Sequence, residues 1–177
     1  MKPLLEAGAD GIMMPMINNI EEANTILNNF KFPPQGGRSF GVNRAHGYGF
    51  DFDRYISTWN NSGLFLVQIE SIKAVENIDA IVKADGLDAV MIGPYDISGS
   101  LQVPGETNHP KVREAARTVV DACESAGLSC ITQVADVKSD AVQDAFDQGF
   151  TSVVLGSDLF ILWKWAEQMR SIMKDFR

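Results

Sequence analysis

Leu64-Phe65-Leu66-Val67-Gln68-Ile69-Glu70 and, after a helical interval, Asp88-Ala89-Val90-Met91-Ile92-Gly93-Pro94-Tyr95-Asp96-Ile97-Ser98 are the runs that decide how this sequence folds. Each begins as a near-continuous apolar stretch of strand character, the pattern of parallel strands buried on both faces. Between them, Ala74 to Ala84 puts Val75, Ile78, Ile81 and Val82 on one helical face. Strand, helix, strand in this order makes a crossover unit, so the two strands run parallel. Both then finish at the same rim of the sheet. Glu70 closes the first strand and Asp96 lies just past the second, so the two carboxylates arrive together. That rim is where α/β folds, barrels included, place their chemistry. The pair reads as a divalent-metal site. Two solvated acids at strand ends are also common, and spacing alone leaves both readings open.

Upstream, residues 2–8 look like the tail of a helix ending at Gly8, and Gly11 to Met16 is a strand with Pro15 at its end, because proline cannot donate to a central ladder. Asn19 and Glu22 resemble a capping box opening a helix whose inward face is Ala23, Ile26, Leu27 and Phe30. Pro33-Pro34 breaks that helix. A glycine-rich loop follows to Gly49, carrying Arg44, His46 and Tyr48. Long loops in compact domains are usually functional or disordered. His46 there is either a base or ligand, or a merely solvated side chain. Phe52 to Asn61 reads as a helix with Tyr55, Ile56 and Trp59 inward.

Downstream, Gly93 to Ser98 reads as a loop whose backbone amides could face an anion. His109 precedes Pro110 and flanks or caps a helix to Ala126, with Val112, Ala116, Val119 and Cys123 inward. Leu128–Ala135 is a strand, Ser139–Gln148 a helix and Phe150–Leu155 a strand. A last helix, Leu159 to Phe176, carries Trp163, Trp165, Met169 and Met173 and is apolar around more of its circumference than one core face needs, as helices that pack on another subunit are. Five strands alternating with helices place the chain in the α/β class with a parallel sheet. No glycine-rich nucleotide fingerprint stands between a strand and a helix, so a dinucleotide site is not supported.

The 177 residues suffice for one domain with a sizeable core. A net charge of −8 and a pI near 4.7 argue against nucleic acid and anionic membrane as partners. No run approaches eighteen apolar residues, so no transmembrane helix is expected, and the first ten residues are too acidic for a signal peptide. Cys123 and Cys130 lack further metal-ligand spacing and read as reduced core thiols of a cytoplasmic protein.

Gly-Ala-Asp-Gly-Ile-Met-Met-Pro-Met at 8–16, Phe-Pro-Pro-Gln-Gly-Gly-Arg at 32–38, Val-Gln-Ile-Glu at 67–70 and Ile-Gly-Pro-Tyr-Asp-Ile-Ser at 92–98, in this order, resemble the HpcH/HpaI aldolase family, class II metal-dependent pyruvate aldolases. The resemblance covers essentially the whole chain. The most specific part is the pair of motifs that sets Asp96 26 positions after Glu70. It implies a TIM-type (β/α)8 barrel with a helix swapped between subunits. It implies Glu70 and Asp96 as ligands of Mg2+ or Mn2+, with Co2+ a third candidate. It implies Gln68 near the bound 2-oxo acid, and the backbone of Gly93, Pro94 and Tyr95 around its carboxylate. Such a barrel needs about 250 residues, so residues 1–177 are expected to be one domain that lacks the first three β/α units. The family's catalytic His and substrate-binding Arg belong to those units, and no residue here matches them. The family's Arg-Gly after the proline pair reads Arg38-Ser39 in this sequence.

The activity implied is carbon–carbon cleavage of 4-hydroxy-2-oxo acids to pyruvate and an aldehyde, impaired in the isolated chain. A homo-oligomer, or a further chain completing the barrel, is expected as partner. Two other readings stay open: a non-catalytic barrel fragment or partner subunit, and a citrate-lyase-type enzyme using a CoA thioester.

Overall fold

A computed structural model describes residues 1–135 and 138–176, which divide into two compact units, Met1–Cys130 and Ile131–Arg177. The first unit holds three parallel strands in chain order: β1 (Gly11–Met14), β2 (Leu64–Ile69) and β3 (Ala89–Ile92). Gly11 pairs with Leu64 and Met14 with Val67; Leu66 pairs with Ala89 and Ile69 with Ile92. Register therefore brings the ends of all three strands to one rim, with Glu70 opposite Gly93.

Helices flank these strands: α1 (Lys2–Glu6), α2 (Ile20–Phe30), α3 (Phe52–Ser62), α4 (Ile72–Glu76), α5 (Ile78–Ile81), α6 (Pro94–Ser100) and α7 (Pro110–Ala126), with a 3-10 turn at Arg44–Gly49. The apolar periodicities decide which faces turn inward. Ala23, Leu27 and Phe30 of α2 are buried, as are Val112, Val119 and Cys123 of α7. Phe30 sits at the centre of an aromatic core, its ring 5.1 Å from Trp59 and 5.5 Å from Phe65. Each such side chain, fully buried, contributes roughly 1.5–3 kcal/mol over its exposed state. Asn19 caps α2 by accepting from Glu22 N at 2.8 Å, while Glu22 takes Asn18 N and Asn19 Nδ2. His109 Nδ1 caps α7 at Lys111 N. Gly127 ends α7 in the left-handed region, φ 69°, donating to the carbonyls of Cys123 and Glu124.

Three local expectations change. The helix read over 74–84 is two short helices that meet at Asn77. The Asn77 amide donates to Lys73 O at 2.9 Å and to Asn18 O at 3.1 Å, and the Asn77 backbone, φ −101° and ψ 6°, leaves the helical region. The stretch read as a loop at 93–98 is α6. Pro94, with φ preset and no N–H to lose, starts it, and Ser98, fully buried, is satisfied by Tyr95 O and Gly105 N. Of the two strands read as buried on both faces, only β3 is so. In β2, Phe65, Val67 and Ile69 are buried while Leu64 is exposed and Leu66 and Gln68 are half-exposed.

β4 (Ser129–Val134) starts at the end of the first unit, and its residues from Ile131 onward belong to the second. There they pair in parallel with β5 (Ser152–Leu155), from Ile131 with Ser152 to Val134 with Leu155. α8 (Ser139–Asp147) and α9 (Asp158–Lys174) complete that unit. Ser157 caps α9 at Phe160 N. No residue of α9 is buried, and Leu159, Ile161, Leu162, Trp163, Trp165 and Met173 are all exposed. Cys123 and Cys130 are buried thiols not joined in a disulfide, and a hydrogen bond between them holds Cys123 below the ordinary thiol range. Among the described residues no helix is long and apolar enough to cross a membrane.

Candidate metal and substrate site

Glu70 is the residue immediately after β2, half-buried, and its side chain lies over Gly93. A Cβ on Gly93 would stand 2.7 Å from Glu70 Cγ and 3.0 Å from Oε1, so only glycine leaves the cradle that this side chain fills. On its other side Glu70 Oε2 accepts the backbone N–H of Met16 at 3.0 Å. Met16 follows Pro15 at the end of β1 and holds φ at 57°. Ile17 N donates to Gln68 O at 3.4 Å, extending the β1–β2 ladder to the rim. The carboxylate that closes the central strand is thus gripped by the ends of both its neighbours.

Asp96 is exposed in the first turn of α6, which begins two residues after β3 ends. Gln68 is half-buried in β2, its Nε2 3.8 Å from Met91 Sδ. Gly93 and Pro94 are half-exposed and Tyr95 is exposed. Of the backbone donors in this trio, Gly93 N–H is spent on Ile69 O at 3.0 Å and proline carries none, so the donor that α6 can offer an anion here is that of Tyr95. Every residue singled out for metal or substrate therefore lies on one rim of the first unit.

The donor chemistry fits a hard cation. Two carboxylates suit Mg2+ or Mn2+, ions that commonly take one or two protein carboxylates and leave the other positions to water or substrate. Among the described residues no group of three or more His, Cys, Asp or Glu side chains is placed to hold a metal.

His46 is neither a rim group nor a solvated loop side chain: it is 1% exposed. Its Nδ1 accepts from Gly49 N at 3.0 Å, and its Nε2 accepts from Asn43 N at 3.1 Å and lies 2.7 Å from Gly41 O. The ring stands edge-on to Phe52, with centroids 5.1 Å apart. Its role is to close the Gly41–Gly49 loop on itself. Arg44 is exposed.

Sequence reasoning missed Arg38. It is 3% exposed, with its guanidinium 4.5 Å from the Phe32 ring centre and 4.7 Å from that of Trp59, and Nη2 donates to Tyr55 OH at 3.1 Å. Among the described residues its Nε and Nη1 have no hydrogen-bond partner. The signal was the recurrence of Phe32, Tyr55 and Trp59 around a loop arginine, which gives the cation aromatic faces to lie on.

With this geometry in place, comparison with known proteins is decisive for the family. The HpcH/HpaI aldolase/citrate lyase family profile matches residues 1–164. The chain belongs to this family. It is 32% identical over 163 residues to a hydroxypyruvate/pyruvate aldolase of Roseobacter denitrificans, covering 91% of this chain and 62% of that protein. It is 31% identical over 175 residues to a 2-keto-3-deoxy-L-rhamnonate aldolase of Escherichia coli, covering 98% of this chain and 64% of that one. The chain thus spans a little under two thirds of the length of these relatives. Among solved structures, an HpcH/HpaI aldolase from Desulfitobacterium hafniense superposes with a TM-score of 0.87 at 29% identity, over 97% of this chain and 66% of that chain. The fold class is accordingly that of the family's α/β, TIM-barrel-like aldolases, represented here by five strands with their helices.

Proposed function

We propose that this HpcH/HpaI chain carries the metal-binding part of a carbon–carbon lyase that cleaves 4-hydroxy-2-oxo acids to pyruvate and an aldehyde. The observation that carries the reading is the placement of Glu70, held by the Met16 amide on one side and fitted into the space over Gly93 on the other. A glutamate merely solvated at a strand end needs no such cradle. On this reading Glu70 and Asp96 hold Mg2+ or Mn2+, with Co2+ the third candidate. The bound ion would polarise the oxo group of the substrate and stabilise negative charge that develops as the carbon–carbon bond breaks. The chain's own residues do the rest of what is assigned here. Gln68 offers an amide to the substrate from the partly covered face of β2, and the first turn of α6 at Tyr95 offers a backbone N–H to its carboxylate. Gly93 and Pro94 shape that turn.

Aldol cleavage also needs a group to take the proton from the substrate hydroxyl. His46 is not that group, because both ring nitrogens are engaged within its loop. We therefore propose that residues 1–177 act as five units of an eight-unit barrel whose remaining units, supplied by further chain or a partner subunit, bring the base. A cytoplasmic setting is in keeping with two buried thiols that are not joined in a disulfide.

The test is metal binding joined to a coupled pyruvate-release assay on the 177-residue chain. Glu70→Gln and Asp96→Asn should each weaken Mn2+ binding by about 100-fold or more while the fold persists, since both groups sit at a rim. Pyruvate release by the unmodified chain should be slow, because losing a general acid–base group commonly costs roughly 10²–10⁴-fold. Mn2+ affinity that neither substitution changes would refute the reading.

A further inference from the structure

The Glu70 carboxylate is one member of a closed ring of interactions. Its Oε2 accepts Met16 N–H at 3.0 Å. The Met16 carbonyl accepts Asn18 Nδ2 at 2.8 Å. Asn18 Oδ1 accepts the hydroxyl of Ser71, and Ser71 is covalently joined to Glu70. Two bonds fasten Asn18 from outside the ring: its N–H donates to Glu22 Oε2 at 2.8 Å and its carbonyl accepts Asn77 Nδ2 at 3.1 Å. The backbone N–H, the backbone carbonyl and both ends of the side chain of Asn18 are therefore all engaged.

One member of the ring is strained. Met16 sits at φ 57°, a left-handed conformation that side chains with a Cβ rarely adopt. Such a conformation persists only where its surroundings over-determine it, and an observed outlier of this kind points toward function. Here it accompanies an N–H that meets Glu70 and a carbonyl that meets Asn18. The hydroxyl of Ser71 also accepts Ala74 N at 3.1 Å, so the same ring is tied to the start of α4.

We propose that Asn18 is a positioning residue for Glu70: by holding Met16 and Ser71 together it presents the Glu70 carboxylate to a divalent cation in one orientation. In that orientation Oε2 is anchored and Oε1 lies against the space over Gly93. The inference rests on the reading of Glu70 as a metal ligand and adds to it the group that sets the ligand's geometry. Groups that orient a metal ligand commonly affect metal affinity by about 10–100-fold when removed.

The experiment measures Mn2+ affinity of the 177-residue chain by paramagnetic resonance of the free ion, well below the unfolding midpoint. Asn18→Ala and Ser71→Ala should each weaken binding by about 10–100-fold. The double variant should be no weaker than the worse single one, because either change opens the same ring. Ser71→Thr, which keeps the hydroxyl, should bind as the unmodified chain does. Asn77→Ala, which removes a bond to Asn18 from outside the ring, should lower stability and leave affinity alone; a purely structural Asn18 would behave the same way. Hydrogen exchange at the Met16 amide should quicken in Asn18→Ala. If Asn18→Ala does not fold, Ser71→Ala against Ser71→Thr reads the ring from its other side. Unchanged affinity in Asn18→Ala, or in Ser71→Ala if that variant must stand in, together with loss in Glu70→Gln overturns the inference and leaves the metal reading standing. Multiplying losses in the double variant overturn the ring. Full affinity in Glu70→Gln, or no Mn2+ binding by the unmodified chain, overturns the metal reading and the inference with it.

Discussion

Gly93→Ala isolates the steric fit beneath the proposed metal ligand. The backbone there, φ −108° and ψ 87°, does not demand glycine. What demands it is Glu70: the three heavy atoms nearest a Cβ at this position all belong to that side chain, at 2.7, 3.0 and 3.3 Å. Carbon atoms in ordinary contact stand about 3.5–4.0 Å apart, so Glu70 must retreat by roughly 1 Å. Retreat breaks the bond from Met16 N–H. A hydrogen bond to a charged group contributes about 1.5–3 kcal/mol when buried, and Glu70 is only half-buried, so about 1 kcal/mol of stability is at stake. Against this, replacing glycine by alanine restricts the unfolded chain and returns about 0.4–1 kcal/mol. The two nearly cancel. Metal affinity has no such offset: a displaced ligand should cost about 10–100-fold, or about 1.4–2.8 kcal/mol.

The assay pairs calorimetric titration with Mn2+ and urea unfolding on the same preparations. Gly99→Ala is the control, because a Cβ at Gly99 meets nothing within 4 Å. The expected pattern is weakened binding with near-normal stability in Gly93→Ala and no change of affinity in Gly99→Ala. Affinity of Gly93→Ala within about twofold of the unmodified chain would refute the reasoning, since it would mean that Glu70 can yield without cost to the ion.

Two more outcomes follow from the same structure. His46→Ala should lower unfolding stability by about 2–3 kcal/mol, from lost aromatic packing and three loop groups left without the ring, and leave Mn2+ affinity as it was; urea unfolding beside Mn2+ titration checks both halves. The exposed apolar surface of α9 should drive association of the chain at tens of micromolar, and a Trp165→Glu, Leu162→Glu double variant should shift light-scattering mass toward that of a single chain; equal masses for both proteins would remove α9 from the interface.

The sequence made the strands and the rim legible because their signals are local. An apolar run of four to six residues reports a strand by itself, and two such runs around a helical interval leave parallel pairing as the ordinary outcome. Hence Glu70 and Asp96 could be placed at one rim without coordinates. Burial on both faces was misread for β2, since the composition of a strand does not say what covers it; Leu64 is as apolar as Phe65 and yet exposed. The break at Asn77 was hidden for a different reason. Asparagine is a mild helix opponent, and what stops the helix is a bond to Asn18, 59 residues earlier. Arg38 and His46 escaped in the same way, each defined by partners gathered from a folded loop rather than by spacing.

The support of Glu70 belongs to this second kind of information. Nothing in Val-Gln-Ile-Glu announces that the carboxylate will lean over Gly93 or accept the amide of Met16; both contacts arise only once register sets residue 70 opposite residue 93 and β1 alongside β2. A left-handed methionine is not foreseeable from its neighbours either, because side chains bearing a Cβ avoid that region unless tertiary contacts compel it. The motif thus names the proposed ligand, while three strand ends and an asparagine outside the motif hold its side chain in place. For that reason the strongest tests of this site lie at Gly93 and Asn18, positions whose side chains, one absent and one an uncharged amide, have no place in a list of metal ligands.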